Sequence, residues 1–190
     1  MTPPILVTGG TGTLGRLVVA RLLSAGSDVR VLSRSGREPA DGIEYVTGDL
    51  LKNEGLEAAV DGVGIVLHLA GGPKGDDEAT RNLVRAAARA GVRHLVYISV
   101  VGADRVPLAW LRSKLAAEQA IADSGVPWTT LRAAQFHDLV LTVVQKMARM
   151  PVVPIPGGLR FQPVDSDEVA ARLVELARGE PAGRVADLTG

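Results

Sequence analysis

The stretch Ile5-Leu6-Val7-Thr8-Gly9-Gly10-Thr11-Gly12-Thr13-Leu14-Gly15-Arg16 decides the fold. Four β-prone residues run into a glycine-rich turn, after which Leu14, Leu17, Val18 and Leu22 recur at helical spacing, so the stretch reads strand, tight turn, helix. The three glycines serve different ends. Gly9 takes the tight turn, Gly12 lets backbone approach a bound anion without a Cβ in the way, and Gly15 lets the helix pack close on the strand. The unpaired N–H groups of the helix's first turn, with their partial positive charge, then face the anion. A dinucleotide pyrophosphate suits this geometry, which makes Gly9, Thr11, Gly12, Thr13, Leu14 and Gly15 candidate cofactor-binding residues. Three spaced glycines also occur in plain strand-to-helix connections; the strand before and the helix after are what favour the dinucleotide.

Working outward, the chain has 190 residues, enough for one domain with a full core, and the expected organisation is a single domain over residues 1–190. It is 46% hydrophobic but only 3% aromatic, so Val, Leu, Ile and Ala must build the core, as alternating strands and helices allow. The 21 basic and 21 acidic residues cancel, and no dense basic run offers the electrostatic footprint that nucleic acid or an anionic membrane requires. The absence of cysteine excludes disulfides, thiolate metal sites and cysteine nucleophiles. Met1-Thr2-Pro3-Pro4 has no basic region of signal-peptide type, and the apolar run Gly62 to Leu67 is too short to span a bilayer. A soluble, cytoplasmic protein with neither nucleic-acid nor membrane partner is expected.

The second predicted strand, Asp28 to Ser33, selects between cofactors. An acid at its end bonds the ribose hydroxyls of NAD, whereas an arginine there pairs with the 2′-phosphate of NADP. Here the strand runs into Ser33-Arg34-Ser35-Gly36-Arg37, with no acid before Glu38. Arg34 offers a planar fork and Ser33 a hydroxyl, chemistry suited to a phosphate dianion, so NADP is expected, with NADPH preferred over NADH. A solvated basic loop is the plainer alternative.

A third strand, Gly42 to Thr47, leads into Gly48-Asp49-Leu50, where Asp49 either caps a short helix or bonds the adenine amino group. Val63 to Leu69 is a continuous apolar strand of a buried parallel sheet, ending in Leu69-Ala70-Gly71-Gly72, small residues that leave room for a ribose. Asp49, Leu50, Ala70 and Gly71 therefore join the candidate cofactor site. His68, inside that run, reads as a satisfied core histidine. Asp76, Asp77 and Glu78 read as the acidic start of a helix closed by Gly91. Val92 to Ser99 is the fifth strand, with His94 expected to face solvent. From Pro107 an apolar helical stripe carries Lys114 and Glu118 as an i,i+4 pair. Val126 to Arg132 is the next strand, and Phe136-His137-Asp138 opens a helix reaching Met150. The proline-broken stretch Pro151 to Gly158 suits a loop over a pocket mouth, a short substrate-side region at about 150–165. Asp165 and Glu168 form a capping-box pattern for a last helix through Ala177, and a final strand is expected over Arg184 to Leu188. Three scattered histidines without ligand spacing predict no metal site.

With these pieces placed, the chain resembles the atypical short-chain dehydrogenase/reductase superfamily, in particular its NmrA-like NAD(P)-binding family. The carriers are Thr8 to Gly15, Arg34, Gly48-Asp49-Leu50, Ala70-Gly71, Tyr97-Ile98-Ser99-Val100, Lys114, and Ser124 to Arg132. The resemblance implies a single α/β domain, a doubly wound parallel sheet of Rossmann-like type; members generally carry more chain after the last strand, so this one looks short at the substrate end. It also implies a catalytic Ser, Tyr and Lys, with the tyrosine one helical turn before the lysine, where lysine lowers the phenol's pKa and binds the ribose while serine holds the substrate carbonyl. Ser99 and Lys114 stand at matching places, but the position four before Lys114 is Trp110, whose indole is donor-only and carries no proton to substrate. Trp110 reads as an aromatic wall beside the nicotinamide or as core filling. Lys114 binds ribose or simply pairs with Glu118, and Ser99 holds substrate or satisfies local backbone. His137, after the sixth strand, is a candidate proton donor or a polar helix start. Two functions follow: an NADPH-dependent reductase of quinone-like acceptors, with a small-molecule substrate, or a non-catalytic NADP(H)-sensing protein with a regulatory protein partner.

Overall fold

Strand and helix alternate from the N-terminus in the computed structural model, which describes residues 3–39, 42–72, 74–106, 108–149 and 162–190. The order is β1 (Ile5–Thr8), α1 (Thr13–Ser24), β2 (Val29–Ser33), β3 (Ile43–Thr47), α2 (Leu56–Val60), β4 (Ile65–His68), α3 (Asp76–Arg89), β5 (His94–Val100), α4 (Ala109–Ala122), β6 (Trp128–Ala133), α5 (His137–Met147), α6 (Ser166–Arg178) and β7 (Gly183–Arg184). The strands form one seven-stranded sheet in the order β3-β2-β1-β4-β5-β6-β7. Every described pairing is parallel. The chain winds outward from β1 in one direction and from β4 in the other, so a topological switch point lies between them. This is the expected doubly wound α/β fold.

Alternation along the strands divides the core in two. Ile5, Val7, Val31, Leu67, Val96 and Leu131 pack with Val18 and Leu22 of α1 and with Val169 and Leu173 of α6. Leu6, Val66, Leu95 and Tyr97 meet Leu83 and Ala87 of α3 and Ala117 and Ile121 of α4 on the other face. Both faces are therefore covered, which is why the central strands read as continuous apolar runs. Leu6, Leu67, Leu83 and Leu173 have no exposed surface, and each such burial contributes about 2 kcal/mol.

Several local expectations shift. The apolar stretch 63–69 narrows to β4, and β7 is two residues long, with Leu188 reduced to a single bridge to Ala133. Asp49 caps a turn and not α2: its Oδ1 accepts from the N–H groups of Leu51 at 2.9 Å and Lys52 at 3.2 Å, while Gly55 is the N-cap of α2. Asp165 caps α6 through the Asp167 N–H at 2.7 Å. His94 is buried, contrary to the sequence expectation, with Nε2 2.9 Å from Thr129 Oγ1. The physical reason is lateral cover: β5 is an interior strand, and Thr129 Oγ1 also accepts from the Ala182 N–H, which brings the C-terminal segment beside this pair. Met150 and the predicted loop Pro151 to Gly158 lie outside the described residues.

Candidate functional site

The glycine turn between β1 and α1 is held by close approach. Gly9 has φ +72°, and a Cβ there would lie 2.7 Å from the Ala70 nitrogen at the end of β4. The Gly12 N–H donates to the Gly9 carbonyl at 3.0 Å, and a Cβ on Gly15 would lie 2.1 Å from that same oxygen. The turn and the first turn of α1 thus nest with no room for side chains. Gly12 is the N-cap of α1 with no side-chain cap bond, and no acid stands in the helix's first turn. Its leading N–H groups and partial positive charge are left for an anion, so the residues present fit a dinucleotide pyrophosphate. Thr13 is exposed at this helix start, whereas Leu14 and Gly15 are buried in its packing.

A cleft of about 450 Å³ opens at this turn, at the C-terminal edge of the sheet. It brings together nine of the predicted residues: Gly9, Thr11 and Gly12 from the turn, Ser33 and Arg34 after β2, Asp49 and Leu50 after β3, and Ala70 and Gly71 after β4. Ser33 is buried and its Oγ accepts from the Ser35 N–H at 3.3 Å, while Arg34 is exposed and has no carboxylate partner among the described residues. Thr8 and Gly48, read from sequence as motif residues but not as cofactor-binding ones, also line the cleft, as does Lys74, which was not singled out. Thr8 had a signal, since it ends the strand that feeds the glycine turn.

Beneath the cleft runs a polar chain whose proton positions follow from its acceptors. Thr80 Oγ1 donates to the Asp76 carbonyl at 2.6 Å, so it accepts from His68 Nε2–H at 2.9 Å. His68 Nδ1 is then the acceptor for the Thr8 hydroxyl at 2.7 Å, and Thr8 Oγ1 accepts in turn from the Ala70 N–H at 3.3 Å. His68 is the satisfied core histidine expected, and it braces Thr8 and Ala70 of the cleft lining. Burial, with the Lys114 charge adding, pushes its pKa down to about 3. Tyr97 stacks on His68 with ring centroids 5.2 Å apart, and its hydroxyl is buried without a hydrogen-bond partner. Burial, then the charges of Asp76 and Glu118, raise the Tyr97 phenol well above its ordinary value, so it does not supply a proton near neutrality.

Lys114 does not form the predicted pair with Glu118. Its Nζ lies 2.8 Å from Asp76 Oδ2, the two side chains being only 12% and 7% exposed, and 5.4 Å from the centroid of the Tyr97 ring. Glu118 is taken instead by Arg132, whose Nε and Nη2 donate to it at 2.9 and 2.7 Å, and by the Ser99 hydroxyl. A bidentate guanidinium aimed across from β6 outcompetes a flexible lysine one turn away. Ser99 is 1% exposed, with its hydroxyl donated to that carboxylate. Arg132 also meets Asp104 at 3.0 Å, which ties the segment after β5 to β6, and the adjacent guanidinium holds the Asp104 carboxyl below its usual range. Trp110 is 37% exposed in the first turn of α4, and His137 is exposed as the first residue of α5; neither is among the residues lining the cleft. Among the described residues, no cluster of three or more acidic or histidine side chains is arranged to hold a metal ion, and no helix is long and apolar enough to cross a membrane.

Comparison with known proteins agrees with this geometry. Residues 9–178 match the family model described as NAD(P)H-binding. The chain is 35% identical over 181 residues to (4-alkanoyl-5-oxo-2,5-dihydrofuran-3-yl)methyl phosphate reductase of Streptomyces griseus, covering 92% of this chain and 63% of that protein. It thus spans less than two thirds of that relative's length. Its fold superimposes with a TM-score of 0.85 on the NADPH complex of NADPH-dependent quinone oxidoreductase 2 from Escherichia coli, at 26% identity, covering 98% of this chain and 69% of the other. A triphenylmethane reductase from Citrobacter sp. complexed with NADP(H) gives a TM-score of 0.83 at 26% identity, covering 98% and 70%. The chain belongs to the NAD(P)H-binding family, among proteins of the atypical short-chain dehydrogenase/reductase type.

Proposed function

We propose that this chain is an NADPH-dependent reductase of small conjugated acceptors, quinones among them. The observation that carries the reading is the cleft in which the acid-free first turn of α1 and the glycine turn meet Arg34, a guanidinium without a carboxylate partner among the described residues. The relatives support it, since their names specify a dihydrofuranone phosphate, quinones and triphenylmethanes as the compounds reduced.

In this reading Gly9, Thr11 and Gly12 present backbone to the pyrophosphate, with Thr13, Leu14 and Gly15 forming the helix start that faces it. Ser33 and Arg34 take the 2′-phosphate, which has no counterpart in NADH. Asp49 and Leu50 flank the adenine, and Ala70 and Gly71 leave space for a ribose whose hydroxyls accept from Lys114. NADPH, when bound, supplies the hydride equivalent. The chain itself has to orient the acceptor and provide for a proton. With Trp110 in place of the tyrosine, that proton comes from solvent or from His137, and acceptors whose reduced anions are delocalised need it least. Ser99, committed to Glu118, orders the strand end beside the acceptor and does not itself transfer the proton.

Purified protein with NADPH and a panel of quinones, aldehydes and azo compounds tests the reading. Quinone-dependent loss of NADPH absorbance is expected. Tight NADPH binding with no turnover on any acceptor would refute catalysis; the regulatory alternative, an NADP(H)-sensing protein, is not favoured by relatives that are reductases by name.

A further inference from the structure

We infer that Asp76 is the positioning residue for Lys114: it fixes the lysine ammonium behind Gly71 at the cleft wall and binds the 71–72 loop with the same carboxylate. The inference rests on the dinucleotide reading of the cleft and adds to it the residue that makes the lysine usable. Asp76 Oδ2 receives Lys114 Nζ at 2.8 Å while Oδ1 accepts the Gly72 N–H at 2.7 Å, so one carboxylate joins α3, α4 and the loop after β4. Asp76, Gly71 and Gly72 all line the cleft, and Lys114, which is not itself a lining residue, stands behind them and meets the wall through Asp76.

The approach is built into the sequence. A Cβ on Gly71 would lie 3.0 Å from Lys114 Nζ and 3.4 Å from Asp76 Oδ2, a spacing at which a side chain would press on the pair. The neighbouring residues lock the two helices in the same register, because Ser113 Oγ donates to Asp77 Oδ1 at 2.9 Å and accepts from the Asp77 N–H at 3.3 Å. Glu118, the other carboxylate within reach of the lysine along α4, is held by Arg132. A lysine ammonium on a four-carbon stem is otherwise free to sample many positions. It carries three donors, and with one directed to Asp76 the ammonium keeps a fixed place from which the others remain for a ligand.

A double-mutant cycle on NADPH binding tests this. Asp76→Asn keeps the side-chain size and an acceptor for the Gly72 N–H but removes the charge that holds the lysine, and Lys114→Met removes the lysine's donors. Each substitution is expected to weaken NADPH binding about tenfold, the scale of one lost charge-assisted hydrogen bond. The double variant should bind within about threefold of K114M alone, since Asp76 acts through the lysine. A purely structural role for Asp76 predicts a further loss of about tenfold in the K114M background; that result, or unchanged or tighter binding by D76N, overturns the inference. If D76N alone fails to fold, the NADPH affinities of K114M and of the double variant, each checked as folded by thermal unfolding, decide the outcome by themselves: equal within about threefold supports the inference, and a further loss of about tenfold overturns it. Failure of the unaltered protein to bind NADPH refutes the dinucleotide reading and the inference together, whereas normal binding with independent losses refutes the inference only.

Discussion

Acid should weaken this fold through His68, and the size of the effect follows from its surroundings. The imidazole is 1% exposed, accepts the Thr8 hydroxyl at Nδ1 and donates to Thr80 from Nε2, so the neutral ring satisfies both partners. A second proton would set two donors against each other at Nδ1. With its pKa lowered from 6.5 to about 3, the folded state refuses a proton that the unfolded chain accepts. The group's contribution is present in full above pH 6.5 and is lost as pH falls from there toward 3, at about 1.4 kcal/mol per pH unit. Between about pH 6.5 and 4.5 that amounts to about 3 kcal/mol, a large part of the roughly 5–15 kcal/mol that holds a domain folded. His94 and the low-lying carboxyls Asp77 and Asp104 also make stability depend on pH, so the measurement is a difference between the unaltered protein and His68→Asn, in which those groups cancel. Urea unfolding followed by the fluorescence of Trp110 and Trp128 gives both curves. At about pH 8 the variant should be less stable by about 2 kcal/mol for two lost hydrogen bonds. The deficit should shrink on acidification and reach zero or reverse near about pH 5. Parallel curves from about pH 8 to 4.5 would refute the assignment of His68 as a buried, neutral brace.

Two further outcomes concern the cofactor. Arg34→Asp should weaken NADPH by roughly ten- to hundredfold, about 1.5–3 kcal/mol for a charged hydrogen-bonding partner, and leave NADH within about threefold, as measured by fluorescence titration. Equal losses for the two would show that Arg34 does not touch the 2′-phosphate. Gly15→Ala places a methyl 2.1 Å from the Gly9 carbonyl, so the turn must move. A stability loss of about 1–3 kcal/mol and a marked loss of NADPH affinity are expected from urea unfolding and the same titration, and unchanged affinity would show that the tight nesting of turn and helix is not what shapes the anion site.

How much of this was legible in the chain depends on the distance over which each feature is decided. The glycine turn could be read because its requirements are local: Gly9 needs a left-handed backbone, and Gly12 and Gly15 need the absence of a Cβ against atoms a few residues away. The basic end of β2 and the small residues after β4 could be read because the doubly wound topology brings the C-terminal ends of successive strands to one edge. Nine candidate residues accordingly share a cleft. Pairing between side chains was less legible. Lys114 and Glu118 have ideal helical spacing, yet each found a stronger partner on a different element, Asp76 in one case and Arg132 in the other. His94 looked like a strand's wet end until the segment at Ala182 was packed beside it.

By itself, then, the sequence determined the order of strands and helices, the glycine turn and the acid-free, basic end of β2, because backbone preference and hydrophobic period act over one or two turns of chain. Only the tertiary structure decided which carboxylate holds Lys114, why Ser99 has its hydroxyl committed, and that His68 braces the cleft floor from below. Those are competitions among groups far apart in the chain, and their winners are set by which helices and strands the packed core brings within hydrogen-bonding distance.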